Sequence, residues 1–536
     1  MNLSGSECVR ALLKIIMIND RIIMLRNLEK HKKYQTAYKP NDFYWGLGVE
    51  HETYIESSKL KQISLRGLKE NCAPERYSVD YYNVYNRQQL HKALDGLFTE
   101  DEKILVPILI NSHTFQRTDI NGEHDTTYER IPKPNSKFAG KTVFEWMKEQ
   151  NPIFAAEYEK SYIFDGDTIE FMTQKFYKAT VSKTIEELVK TEANFVEAFN
   201  GLPQQGIFKT YGPFQLAQKN YGFATYLTNL KHNAMFNNGT IHINITLPTE
   251  LDEKGEIKDM PLFIKQHQAY AKAIQWISPL LVAMYGAFDP LCESKTNGEQ
   301  YAAGSQRLAV SRYIGLGTYD TDTMEVGKIL TCQKDKLKHL DWYEEFHKKA
   351  DYRFLDELGL DINFNKHYSH GLEFRIFESI SPSALKDVME LLVYLADFAM
   401  AHDLPNPIKS KTWHLITQNC IMNGRGYYVD VTSQNKLYEI LNILELAKEP
   451  KLVTEILDII RAYLFKTYAN GTCVKCMIHG EDIPPPPPPQ LDPHEDSKPV
   501  KESPVPSIPE PVPLPPIVPP STLPKKSRRK WWRLCC

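Results

Sequence analysis

The sequence predicts an α+β fold built around an antiparallel sheet. Between residues 39 and 470, short segments alternate apolar and polar side chains at every second position, and long stretches of helical period separate them. Four of the alternating segments carry acidic, amide or imidazole side chains on one side only, the pattern of a strand with one face packed and the other open.

The elements follow in chain order. Residues 1–38 are basic and of helical period, with Leu12, Ile15, Ile16, Ile22, Ile23 and Leu25 on one broad stripe, and predict an N-terminal extension packed on a main domain spanning 39–480. Within that domain, residues 46–56 (GLGVEHETYIE) place Glu50 and Glu52 two apart, on one side of a strand. Residues 164–173 (FDGDTIEFMT) set Ile169 and Phe171 against Glu170, beside an acidic turn at Asp165, Gly166 and Asp167. A helix is predicted over 182–200, where Thr184 and Glu187 have capping-box spacing. Residues 239–247 (GTIHINITL) turn Ile241, Ile243, Ile245 and Leu247 one way and His242, Asn244 and Thr246 the other. Residues 371–377 (GLEFRIF) bury Leu372, Phe374 and Ile376 and present Glu373 with Arg375. The run 391–400 reads as a buried helix.

Carboxylates sharing a face with a histidine and an asparagine repel one another unless cations lie between them, and hard oxygen ligands suit Mg²⁺ or Mn²⁺. Arg375 adds a fixed positive fork for phosphate or carboxylate oxygens. The chain contains no Walker A loop, no dinucleotide G-x-G-x-x-G after a strand and no G-x-S-x-G elbow. Cys473, Cys476 and His479 have the spacing of half a zinc site without a second pair nearby, and read as ordinary thiols.

Composition bounds the rest. A net charge of -3 gives no overall bias toward nucleic acid, and none is expected as a partner. Nine irregularly spaced cysteines favour a reducing, intracellular, cytoplasmic setting over a disulfide framework. Lys14 interrupts the apolar run 11–18, which predicts no signal peptide, and Pro279 and Gly286 interrupt the run 273–288, which predicts no membrane span.

Taken in order, the motifs resemble those of the glutamate-cysteine ligase superfamily, especially its bacterial type. GVEHE at 48–52, IEFMT at 169–173 and GTIHINITLP at 239–248 are similar to its Glu-basic-Glu, Glu-Phe-x-Thr and His-aromatic-Asn strands. SPLLVAMYGAFDP at 278–290, YAAGSQRLAVSRYIGLGTYD at 301–320 and LEFRIFESISP at 372–382 fall in the expected sequence after them. The resemblance implies a glutamine synthetase/glutamate-cysteine ligase-like fold, with ATP and two or three Mg²⁺ (or Mn²⁺) ions on the concave face of the sheet and helices on the other. It implies Glu50, Glu52, Glu170, His242 and Glu373 as metal ligands with Asn244 beside them. Ser305 and Arg307 would belong to the nucleotide site, Arg307 and Arg375 would bind ATP phosphates or the substrate carboxylate, and Asp165 or Asp167 would orient the incoming amine or a metal-bound water. The implied activity is ATP-dependent joining of a small-molecule carboxylate to an amine, a γ-glutamyl-type amide formed through an acyl phosphate. His51 stands where that family carries Lys or Arg, and Asp289 replaces the Ser before Pro290, departures that bear on the substrates; the amine is not assumed to be cysteine. The same fold without catalysis, serving as an adaptor, and the same fold turned to phosphotransfer or to ligation onto a peptide, are the other readings.

Composition changes after residue 480. Six consecutive prolines, Pro484 to Pro489, open a proline-rich spacer over 481–524, which cannot build a core and predicts an extended linker. Residues 525–536 cluster Lys525, Lys526, Arg528, Arg529, Lys530 and Arg533 around Trp531 and Trp532 and end in Cys535 and Cys536. That combination predicts a membrane-surface anchor, with a lipid on a cysteine as its second signal; a solvated basic tail that binds acidic partners or nucleic acid is the other reading.

Overall fold

The computed structural model describes residues 39–64, 103–110, 112–121, 140–165, 168–217, 240–286 and 371–482, and short strands at 289–296, 299–303, 319–320, 325–326, 353–354 and 362–363. The chain divides into two compact units, Met1–Pro485 and Pro486–Cys536, and every described residue lies in the first. The predicted N-terminal helix, the proline spacer and the basic tail lie outside the described residues, save Glu481 and Asp482 at the start of the spacer.

The strands that position the site are β1 (Phe43–Thr53), β2 (Ile55–Ser64), β3 (Lys103–Ile110), β4 (Tyr162–Asp165), β5 (Thr168–Met172), β6 (Phe214–Leu216), β7 (Thr240–Glu250), β8 (Ile362–Asn363) and β9 (Leu372–Glu378). Six of them form one sheet in the order β8-β9-β7-β1-β5-β4, with every neighbouring pair antiparallel. The α+β class and the antiparallel sheet are as the alternation predicts. Two predicted strands are divided. The segment 46–56 breaks at Tyr54, where the chain leaves β1 for β2 in a separate three-stranded sheet, β3-β2-β6. The segment 164–173 is a hairpin, with Asp165 closing β4 opposite Thr168 at the start of β5.

Among the described helices are α1 (Val143–Gln150), α2 (Ile153–Glu157), α3 (Val181–Asn200), α4 (Met260–Tyr285), α5 (Pro382–Ala401), α6 (Lys411–Asn423) and α7 (Val453–Thr467). Of these, α3 and α4 pack on the apolar side of the main sheet, where Leu47, Val49, Phe171, Ile241, Ile243, Ile245 and Phe374 are essentially inaccessible. The α3 ring of Phe195 meets Phe171 edge-on at 5.2 Å, and the α4 ring of Tyr270 meets Phe374 at 5.9 Å.

Helix α4 contains most of the apolar run 273–288 and is buried along nearly its whole second half, as a central core helix. No helix of the described residues is long and apolar enough to cross a membrane. Pro279 lacks an N–H, so the Gln275 carbonyl one turn earlier loses its helical partner. Trp413 of α6 takes its place, donating Nε1–H to that carbonyl at 2.5 Å. The predicted buried helix 391–400 lies within α5, which Ser381 caps by accepting the Ala384 N–H at 3.2 Å.

The capping-box reading of Thr184 and Glu187 is corrected. Thr180 is the N-cap of α3, accepting the Lys183 N–H, and Thr184 donates to the Thr180 carbonyl at 2.9 Å. Glu187 instead accepts the backbone N–H groups of Gln174 at 2.9 Å and Lys175 at 3.1 Å, tying the stretch after β5 to the helix. Cys473 and Cys476 are buried at the start of a π-helical turn, Val474–His479, where Asp397 accepts the N–H groups of Cys473 at 2.8 Å and Val474 at 3.0 Å. Burial and the neighbouring Asp397 push both thiols up, Cys476 to about 12, away from the thiolate a metal requires.

At the start of β1, Lys178 Nζ lies 2.9 Å from Asp42 and 2.7 Å from Asp482. Burial works against ionisation of Asp42, but hydrogen bonds from Tyr177, Lys178 and the Phe43 N–H outweigh it and hold the carboxyl below its ordinary 3.8. Burial likewise disfavours the Lys178 ammonium, but Asp482 and Asp42 outweigh it and raise the group above 10.5. The stability from Asp42 is therefore present above pH 3.8 and lost as pH falls through the lower folded value, whereas that from Lys178 is present below pH 10.5 and lost as pH rises beyond it. Urea unfolding of Asp42→Asn should show a deficit of about 1 kcal/mol at neutral pH that closes on acidification. A deficit that is the same at pH 7 and at pH 2 would contradict this assignment.

Candidate functional site

Residues paired directly across a sheet project to the same side. Glu52 lies opposite Glu170, and Glu50 opposite His242. Asn244 lies opposite Gly48 on one side and Glu373 on the other. The register thus gathers Glu50, Glu52, Glu170, His242, Asn244 and Glu373 on the side of the sheet away from the helices. This side is not open, as the alternation predicts, but closed: the six residues are between 0% and 8% exposed.

Among the described residues, two groups of carboxylate and imidazole atoms of the kind that bind metal ions form on it, each with its atoms within 4.8 Å of one another. One is Glu50, His242 and Glu373, and the other is Glu52, Asp165 and Glu170. His242 stands between them: Nδ1 is 3.3 Å from Glu50 and 3.5 Å from Glu373, and Nε2 is 3.8 Å from Glu52. Thr240 donates to Glu52 Oε2 at 2.8 Å and lies 3.0 Å from His242 Nε2. Arg375 donates from Nη1 to Glu373 at 3.1 Å. The first group is fully buried, while the second opens to solvent at Asp165.

The chemistry of the donor set suits a hard divalent cation: carboxylate oxygens, one imidazole and no thiolate. Asn244 supplies an independent sign. Its Oδ1 is buried without a hydrogen-bond partner, beside Glu373 in the register, and a buried carbonyl oxygen ordinarily finds a donor or a cation.

At the other end of the same face, a side chain takes the place of ligands. Gly46 and Gly48 share the parity of Glu50, and the ring of Phe176 lies directly over both; a Cβ at Gly46 would sit 2.1 Å from that ring. Phe176 packs with Tyr44 and Leu251 in a small second core that closes this edge.

Of the residues singled out from sequence, Glu50, Glu52, Asp165, Glu170, His242, Asn244, Glu373 and Arg375 come together. Asp167, Ser305 and Arg307 lie outside the described residues. Thr240 was not singled out, although it shares the parity of His242 and Asn244, which is the signal that marks it. Phe176 carries no such signal.

No family model matches the chain. A bifunctional glutathione synthetase from Pasteurella multocida aligns in structure at 11% identity and a TM-score of 0.32, over 83% of this chain and 51% of that enzyme. The chain thus spans about half of the enzyme's length, and a likeness at this level carries no argument. In sequence, the chain is 36% identical over 462 residues to the uncharacterized protein R704 of Acanthamoeba polyphaga mimivirus, covering 85% of this chain and 80% of that protein. Identity at that level over nearly the whole of both chains is shared descent, and this chain belongs to the family of the mimivirus protein R704.

Proposed function

We propose that the chain is an ATP-dependent carboxylate-amine ligase, forming a γ-glutamyl-type amide through an acyl phosphate. The observation that carries the reading is the pair of adjoining carboxylate groups on one buried sheet face, assembled from segments that resemble the glutamate-cysteine ligase motifs. Glu50, His242 and Glu373, with Asn244, would hold one Mg²⁺ or Mn²⁺ ion, and Glu52, Asp165 and Glu170 another. Bound there, such ions would neutralise phosphate oxygens of ATP and favour attack by a carboxylate on the γ-phosphoryl group.

The chain's own side chains do the positioning. Thr240 fixes the rotamer of Glu52, and Glu373 accepts from Arg375, whose guanidinium would bind a phosphate or the substrate carboxylate. Asp165, the exposed member of its group, would meet the incoming amine from solvent. Ser305, Arg307 and Asp167 are assigned to the same site on the resemblance alone.

The test is ADP release from purified protein over a panel of carboxylates, with hydroxylamine as a generic acceptor and Mg²⁺ or Mn²⁺ present. Trapped hydroxamate would name the donor. Glu52→Gln and Glu373→Gln should each abolish turnover with the circular dichroism spectrum retained, because each removes a charge from a ligand group and no core contact. Wild-type ADP release by both variants would refute the cation platform. A protein that binds no nucleotide and releases no ADP would instead fit the adaptor reading.

The basic tail belongs to this proposal as a tether. Basic residues at an anionic leaflet contribute about 1 kcal/mol each and tryptophans favour the interface, so the cluster at 525–533 binds reversibly, and acylation or prenylation at Cys535 or Cys536 would make it firm. Cell fractionation should find the full chain with membranes, and both a chain ending at Pro524 and the double variant Cys535→Ser, Cys536→Ser shifted to the soluble fraction. Equal solubility of all three would end the tether reading.

A further inference from the structure

His51 lies between Glu50 and Glu52 in sequence, and strand alternation turns it to the opposite side of β1. Its register partners there are Phe171 and Ile241, both core residues. An imidazole in this apolar row is 7% exposed, yet both of its nitrogens are met. Nδ1 donates to Glu192 Oε1 of α3 at 2.6 Å, and Nε2 lies 3.1 Å from Ser379 Oγ, in the turn joining β9 to α5. A ring held at both ends cannot rotate or slide along the strand without leaving a buried polar atom unpaired.

The position of this tie matters more than its strength. The sheet order β9-β7-β1 puts β7 in the middle, and the group Glu50, His242 and Glu373 draws one ligand from each of those strands. His51 is on β1 and Ser379 directly follows β9, so the tie spans the same three strands from the other side of the sheet and braces the outer two about the middle one. Glu192 adds α3 as a fixed abutment.

We infer that His51, held by Glu192 and Ser379, is a positioning residue for the cation-binding face: it sets the roll of β1 and thereby the approach of Glu50 and Glu52 to their partners. The inference rests on the proposed reading of the carboxylate groups as cation sites. It accounts for a polar triad in an apolar row, where a leucine would have packed without any requirement for partners.

The experiment is Mn²⁺ titration of the full chain, followed by electron paramagnetic resonance, at a temperature where every variant is folded. The variants are Glu192→Ala, Ser379→Ala, Glu192→Gln, which keeps an acceptor for Nδ1–H, and Leu188→Ala, which removes a buried α3 side chain and lowers stability while keeping the side chains of His51, Glu192 and Ser379. Expected are wild-type binding, a loss of about tenfold in affinity for Glu192→Ala and Ser379→Ala, substantial recovery in Glu192→Gln, and unchanged affinity in Leu188→Ala. Should Glu192→Ala not fold, Ser379→Ala is read in its place. Affinity within twofold of wild type in both alanine variants, or an equal loss in Leu188→Ala, overturns the inference and leaves the cation reading standing. Failure of the wild-type chain to bind Mn²⁺ overturns both.

Discussion

Four glutamates and a histidine held at 8% exposure or less on a single sheet face set the terms for everything packed around them. Removing ionised groups from water costs several kcal/mol each unless charge and hydrogen bonds are returned to them. Part of the return is visible in the protein itself: His242 between the two carboxylate groups, Thr240 on Glu52 and Arg375 on Glu373. The cations proposed at the two carboxylate groups would add to that return, and the buried Asn244 Oδ1, without a hydrogen-bond partner, lies on the same face.

Such a face must be held rigidly, and the architecture does so from behind. The apolar sides of β1 and β5 pack on α3 and those of β7 and β9 on α4, with α5 against both helices, so the strands are held from rotating to relieve the repulsion in front. Rigidity is completed at the glycine end of β1, where Phe176 lies over Gly46 and Gly48. Ligand face and packed face are thus two consequences of one alternation, and neither can shift register without inverting the other.

How much of this is readable in the sequence depends on the range of the interaction. Parity along a strand is local, so the partition of Glu50, Glu52, His242, Asn244 and Glu373 from Leu47, Val49, Ile241, Ile243 and Phe374 is visible in the one-dimensional pattern. Parity says which side a residue takes and not what covers that side, and for this reason the ligand face was expected open and is closed. The break at Tyr54 is marked by neither Gly nor Pro, since the strand changes sheets without turning. Glu187 has capping-box spacing and serves Gln174 and Lys175 instead, because a folded chain brings amides within reach that spacing cannot count. The partners of His51 lie 141 and 328 residues away, beyond any local signal.

The strand change at Tyr54 has a mechanical consequence. Ile55 pairs with both Ile110 of β3 and Leu216 of β6, and Glu52 stands three residues before it on the same extended backbone. An extended chain is nearly inextensible, so no slack separates the small sheet from the carboxylate. The small sheet is therefore a fixed anchor for the end of β1: with Ile55 paired on both sides and no loop between, the backbone that carries Glu52 is held at Tyr54 as firmly as it is by its partners in the main sheet.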